Sequence, residues 1–154
     1  ERHGAARLVA WPGVAIGATG EAGVAELIAG SRGAIGYVAD VTARRAALGV
    51  ARLENAAGAL VAPGPEAGRA ALAELAAAPP RLAADPSAAT AYPVVNVAWL
   101  LLRRHYPRPE VRRAVYDFAD WGLRAGQALV AEAGYVPLPE AVAARAQRRL
   151  ARAR

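Results

Sequence analysis

Apolar residues recur along this chain in two rhythms, helical and alternating, and glycine and proline mark most of the changes between them. Residues 7–16 read as a broken extended stretch, and Gly17-Ala18-Thr19-Gly20 as a turn. Val24, Leu27 and Ile28 then repeat at helical spacing. Thr19 is placed to cap that helix, and Glu21 falls in its first turn, where a carboxylate complements the helix dipole. Glycines 30 and 33 end it. Residues 34–38 (AIGYV) form a short apolar run between turn signals and predict a buried strand. A second helix is expected over 41–48. Strands are expected over 50–53 and 59–62, around the turn formers Asn55-Ala56-Ala57-Gly58.

Residues 65–78 predict a helix opened by proline and closed before Pro79-Pro80. Residues 79–91 (PPRLAADPSAATA) carry no periodicity and make the best linker in the chain. Residues 92–102, rich in valine and leucine, predict a long strand entering a core. The strongest helical pattern covers 109–133, with Val111, Val115, Phe118, Trp121 or Gly122, Ala125 and Leu129 along one face. Gly134 stops it, Pro137 biases Val136 towards an extended backbone, and Pro139 suits the start of a last helix running to about residue 152. No internal repeat is visible. Helices alternating with short strands imply an α/β chain.

Composition narrows the class. The chain has 154 residues, 55% hydrophobic and 21% charged, which suits a folded core. No apolar run reaches the roughly 18 residues of a membrane helix. Cysteine is absent, which excludes disulfides, thiol nucleophiles and cysteine metal sites. The net charge is +6, and all 19 basic residues are arginine. A coding sequence biased towards arginine, alanine, glycine and proline explains this more simply than nucleic-acid binding. The first residue is Glu1, so either a leader has been removed or the chain is a fragment.

Little in the sequence points to chemistry. His3 and His105 lie far apart, without the convergent ligands a metal needs, so no metal site is expected. Asp117 and Asp120 are neighbours on a helix but sit beside Arg113 and Arg124, as on an ordinary solvated face. The glycine turn before residue 21 could cradle an anion, yet it matches neither dinucleotide nor lysine-bearing phosphate loops, and Glu21 would repel a phosphate. With two serines and three threonines, no Ser-His-Asp set is apparent. No catalytic residue, enzyme activity or cofactor is assigned. The basic feature with some pull is the last helix, where Arg145, Arg148, Arg149 and Arg152 follow i, i+3, i+4, i+7 spacing and make one positive stripe. Such a stripe suits the phosphates of nucleic acid or of an anionic membrane surface. A solvated outer face has the same pattern, and no aromatic residue interleaves it.

Four stretches in order, WPGVAIGATGEAGVAELIAGSRGAIGYV, LENAAGALVAP, YPVVNVAWLL and FADWGLRAGQALVAEAGYVPLP, resemble the C-terminal half of the phosphate-binding protein family of bacterial high-affinity phosphate ABC transporters. Glu21-Ala22 departs from the family, which usually has an asparagine between these glycines. The resemblance implies a type II periplasmic-binding-protein fold, α/β, here an incomplete two-lobe architecture. Residues 1–91 would be the remainder of lobe two, and residues 92–154 would return to complete lobe one. It implies a solute-binding component that closes about a hinge on inorganic phosphate and delivers it to ABC permease subunits. The whole protein would be a monomer in the periplasm or outside the cell, with membrane anchoring left open through a missing N-terminus, and with no nucleic acid as partner. The family's phosphate ligands, near a Ser-Gly-Thr run, are expected upstream of Glu1, so no ligand residue is carried onto this chain. The alternative is an arginine-rich module for nucleic acid or anionic membranes.

Overall fold

The computed structural model describes residues 15–77 and 86–153. The chain divides into two compact units between Gly49 and Val50. Most of the expected stretch 7–16 lies outside the described residues.

In the first unit, α1 (Gly20–Gly30) packs on α2 (Asp40–Arg45). Ala25, Val41 and Ala43 are its buried side chains among the described residues. Small alanines allow a close approach, and one polar contact fixes the pair: Thr42 Oγ1 donates to Glu21 Oε2 at 2.7 Å. Thr19 takes the N-cap position, although its hydroxyl makes no capping hydrogen bond. The second helix is shorter than its pattern predicts. Ala47 adopts φ +51°, while the amides of Ala47 and Leu48 donate to the carbonyls of Arg44 and Ala43, which closes the helix in the manner usually reserved for glycine.

The strand expected over 34–38 does not form as a buried strand. Residues 34–39 have no regular secondary structure. Gly36 faces α1, where an added Cβ would lie 2.9 Å from Ile28 Cδ1, whereas Ile35 is 95% exposed and Tyr37 also points to solvent. The alternation of a strand survives, but its large side chains face away from the helix that could have covered them.

The second unit holds a hairpin and four helices among the described residues. Strands β1 (Leu53–Glu54) and β2 (Leu60–Val61) pair antiparallel, with Leu53 opposite Val61 and Glu54 opposite Leu60. They are shorter than the expected 50–53 and 59–62. Helix α3 (Pro65–Ala77) begins at its proline as predicted. Helix α6 (Glu140–Ala153) packs against both α3 and α4 (Pro109–Gly122). The core gathers there: Tyr116, Ala119 and Leu150 are buried, with Leu102, Tyr106 and Leu123 packed around them.

Two expectations in this unit need correction. The helix expected over 109–133 is two helices, α4 and α5 (Gly126–Glu132). The break is stabilised by side chains that donate to carbonyls near it: Gln127 Nε2 donates to the Gly122 carbonyl at 2.7 Å and Gln147 Nε2 to that of Leu123 at 3.0 Å. The face that α4 buries is also rotated from the predicted one. Tyr116 and Ala119 turn inward, while Phe118 is 65% exposed and stacks on Trp121 at 5.7 Å between ring centroids. Helix α4 carries apolar residues on two faces, and α6 covers one.

Nor do residues 92–102 form a strand. No backbone–backbone hydrogen bond between described residues falls on 94–102, and the hairpin is the only sheet among the described residues. The α/β expectation is therefore met only in its helices and this small sheet, and the described chain is mostly helical.

Candidate functional site

The crossing Gly134-Tyr135-Val136-Pro137-Leu138 shows how local chemistry positions the C-terminal helix. Gly134, at φ +87°, ends α5: its amide donates to the Ala131 carbonyl, and the Tyr135 amide to that of Val130. This is the 6→1 and 5→2 pairing that satisfies a helix's last carbonyls. Gln127 then ties the crossing back, since its Oε1 accepts from the Leu138 amide at 2.8 Å. Val136 meets Gly68 of α3 so closely that an added Cβ would stand 2.7 Å from Val136 Cγ2. Helix α6 starts from this fixed crossing.

The far end of α6 is held by Arg112, which donates to the Ala153 carbonyl at 2.7 Å while its guanidinium lies 5.0 Å from the Tyr116 ring centroid. A cation suits the carbonyl end of a helix, and the aromatic face stabilises it further. The Tyr116 hydroxyl in turn donates to the Arg103 carbonyl, and the Arg103 amide donates to the Tyr106 hydroxyl.

Between α6, α4 and residues 97–102 lies a groove of about 440 Å³. Its walls are mainly apolar, including Val97, Trp99, Leu123, Val142 and Leu150. Two of the four predicted arginines border it: Arg145, half-buried, and Arg149, exposed. Arg148 and Arg152 are exposed, the latter in the helix's last turn. The basic stripe is thus divided, half beside apolar groove walls and half in solvent.

Of the remaining sequence candidates, His3 lies outside the described residues and His105 is exposed. Asp120 pairs with Arg124 at 3.0 Å, one helical turn on. Glu21 occupies the start of α1 with a negative charge and a hydrogen bond from Thr42, so the glycine turn presents no open anion cradle. No group of three or more histidine, cysteine, aspartate or glutamate side chains that could hold a metal occurs among the described residues.

Two polar anchors were not legible as such in the sequence. Asn55 is 4% exposed, and its Nδ2 donates to the carbonyls of Ala88, Ala89 and Ala91 at 3.0, 3.3 and 3.0 Å. Its Oδ1 accepts the amides of Ala57 and Ala59. A residue recognisable as a turn former thus also clasps the hairpin to a loop more than 30 positions later. Glu74 does the same for that loop from α3, accepting the amides of Ser87 and Ala88 and the Ser87 hydroxyl. The Ser87 and Ala88 amides favour its charged form and hold the carboxyl below its ordinary range. Of the linker expected over 79–91, residues 86–91 are therefore firmly attached, while 79–85 lie outside the described residues.

No family model matches the chain. Its sequence is 36% identical over 146 residues to the phosphate-binding protein PstS of Pasteurella multocida (strain Pm70), covering 92% of this chain and 42% of that protein. It is 30% identical over 143 residues to PstS of Xylella fastidiosa (strain 9a5c), covering 90% of this chain and 39% of the relative. PstS of Haemophilus influenzae (strain ATCC 51907 / DSM 11121 / KW20 / Rd) is 29% identical over 127 residues. All three are named as binding proteins, in agreement with a non-enzymatic chain. No helix among the described residues is long and apolar enough to cross a membrane. The chain spans about two fifths of the length of these relatives, and over that span it is homologous to PstS, a partial PstS-like chain.

Proposed function

We propose that this chain is the C-terminal part of a solute-binding protein that captures inorganic phosphate and delivers it to the permease subunits of an ABC import system. The observation that carries this is 36% identity to a phosphate-binding protein across 92% of the chain. The proposed setting is a type II two-lobe binding protein in the periplasm or outside the cell, monomeric, with no nucleic acid as partner. Residues 1–91 belong to lobe two and residues 92–154 complete lobe one. Its mechanism is hinge closure: phosphate binds the closed arrangement more tightly and shifts the population towards it.

The groups that hold phosphate lie, in this proposal, in the part of PstS that the chain does not match. A dehydrated oxyanion needs many directed donors, which hydroxyls, amides and helix N-termini supply. The chain is poor in hydroxyls, and Glu21 stands at the start of α1. Titration calorimetry tests both halves of the proposal. The isolated chain gives no phosphate heat at micromolar concentration, whereas a chimera in which it replaces the stretch it matches in the Pasteurella multocida protein binds phosphate. Micromolar binding by the isolated chain would overturn the placement of the ligands. A folded chimera that leaves phosphate unbound would overturn the function.

A further inference from the structure

Positive charge is not spread evenly over this chain. Residues 103–113 and 148–153 hold eight of its 19 arginines and one of its 13 acidic residues, Glu110. They sum to +7 against +6 for the whole chain, so all the other residues together come to −1. Counting Asp117 as well, one turn beyond Arg113, still leaves +6. A coding bias towards arginine would act along the whole chain and gives no reason for this concentration. The two segments are distant in sequence, and the fold joins them. Arg112 donates to the Ala153 carbonyl, and Gln147 Nε2 to that of Leu123, so α4 and α6 run antiparallel, the start of one beside the end of the other. The loop before α4 is tied to the same helix, since the Tyr116 hydroxyl donates to the Arg103 carbonyl. Arg103, Arg104 and Arg108 of that loop are exposed, as is Arg113 on α4. Arg148, Arg149 and Arg152 are exposed on α6, whose buried residues are Ala143 and Leu150. Glu110 lies 3.9 Å from Arg108 and is itself exposed, so it offsets little of this charge.

We propose that this end of the α4–α6 pair docks on an anionic lipid bilayer, its guanidinium groups meeting the phosphates of the lipids. A guanidinium fork matches phosphate oxygens in pairs, and an anionic surface attracts basic side chains over about a Debye length. The arginines come from a loop and two helices and project from an exposed face, which suits a surface of many headgroups better than a single ion. Tyr106 is the one tyrosine, tryptophan or phenylalanine of the loop and α6 segments outside the helix core. It is half-buried, with its hydroxyl accepting from the Arg103 amide, so this face offers no ring for base stacking. The inference goes beyond phosphate capture but rests on that reading for its setting: a binding protein that hands its ligand to a membrane permease meets it more often when it lies on the same membrane.

Co-sedimentation of the chain, and of the chimera described above, is measured with vesicles containing phosphatidylglycerol and with vesicles of phosphatidylcholine alone. Both proteins bind only the anionic vesicles, and binding weakens as salt rises. Arg148→Gln with Arg149→Gln weakens it about 25-fold, since each basic side chain at an anionic surface contributes about fivefold, and Arg104→Gln with Arg108→Gln does the same. Arg148→Lys with Arg149→Lys keeps most of the binding. Arg44→Gln with Arg45→Gln, an equal loss of charge on α2, changes it about twofold at most. Equal binding to the two kinds of vesicle overturns the inference, and so does binding to neither. An α2 pair as damaging as the α6 pair overturns it by reducing the effect to net charge. A lysine pair as weak as the glutamine pair overturns it by making the α6 arginines structural. Tighter binding to a DNA duplex than to anionic vesicles assigns the face to nucleic acid and also overturns it. Vesicle binding by a folded chimera that leaves phosphate unbound keeps the membrane face and removes the phosphate proposal; phosphate binding by a chimera that ignores the vesicles does the reverse.

Discussion

Asn55 concentrates more structural consequence than any other single polar side chain described. Both of its amide hydrogens and its oxygen are engaged, and no buried side-chain nitrogen or oxygen among the described residues lacks a partner. Truncation would strand the buried Ala91 carbonyl and leave those of Ala88 and Ala89 partly buried without this donor, at a cost of about 1–3 kcal/mol for each buried group left unsatisfied. Asn55→Ala is therefore expected to lower unfolding stability by about 3 kcal/mol, and Asn55→Asp, which loses the donor, by a similar amount. Urea denaturation would settle it, and a loss below about 0.5 kcal/mol for both variants would show that the clasp is dispensable. Glu74 makes a separate, pH-dependent statement. Its folded carboxyl titrates below its unfolded value, so its contribution is present above the unfolded pKa and is lost as pH falls through the folded one. Stability measured from pH 7 down to pH 3 should drop less steeply in Glu74→Gln than in the parent chain. Identical slopes would mean that the contacts with Ser87 and Ala88 do not persist in solution.

At the scale of elements, the junction of α3 with the crossing before α6 reverses the usual effect of an alanine. In an open helix, Gly→Ala gains about 1 kcal/mol. At Gly68 the new methyl would meet Val136 Cγ2 at 2.7 Å, and a β-branched side chain on a fixed crossing has little room to move. Gly68→Ala should cost about 1 kcal/mol net, because overpacking outweighs the helix gain, and should become stabilising in a Val136→Ala background. Equal effects in the two backgrounds would refute the close contact. Other elements were legible to different degrees. Starts and stops were plain wherever proline or glycine fixes the backbone: α1, α3, the hairpin turn and the end of α5 follow their sequence signals. The break between α4 and α5 was not, because it depends on Gln127 and Gln147 reaching carbonyls, and neither glutamine announces that role. The buried face of α4 was misassigned for a further reason. Apolar residues surround much of that helix, so periodicity alone could not choose between Tyr116 with Ala119 and Val115 with Phe118.

At the scale of the whole molecule, the two failed strand expectations share one physical cause. Periodicity and β-propensity describe what a segment can do with neighbours, and strand pairing is a property of two segments at once. Residues 34–38 and 94–102 have the composition of strands, and neither has a partner strand among the described residues. The stretch matched in each relative is less than half of that relative's length. The candidate site was equally split. The arginine stripe was visible from its spacing, but that Arg145 and Arg149 border an apolar groove depends on α4 and residues 97–102 being brought alongside. Similarity to PstS was legible in the four ordered stretches that resemble its family, and the 36% identity over 92% of the chain agrees with it.

The bare run over 94–102 also bears on how copies of the chain treat one another. Uncharged, β-branched and open at its edges, it has the makings of a template for self-templated fibres. Immediately after it stand Arg103 and Arg104, both exposed. If copies stacked in register, each arginine would meet its own image about 4.8 Å above and below, and the repulsion would accumulate with every added layer. A charged pair flanking an apolar run is the gatekeeper pattern that opposes such a ladder. Salt shortens the reach of each charge, so fibre formation at fixed chain concentration is expected to speed up as ionic strength rises, and thioflavin fluorescence reads it; a rate independent of salt would exclude the arginines as the barrier.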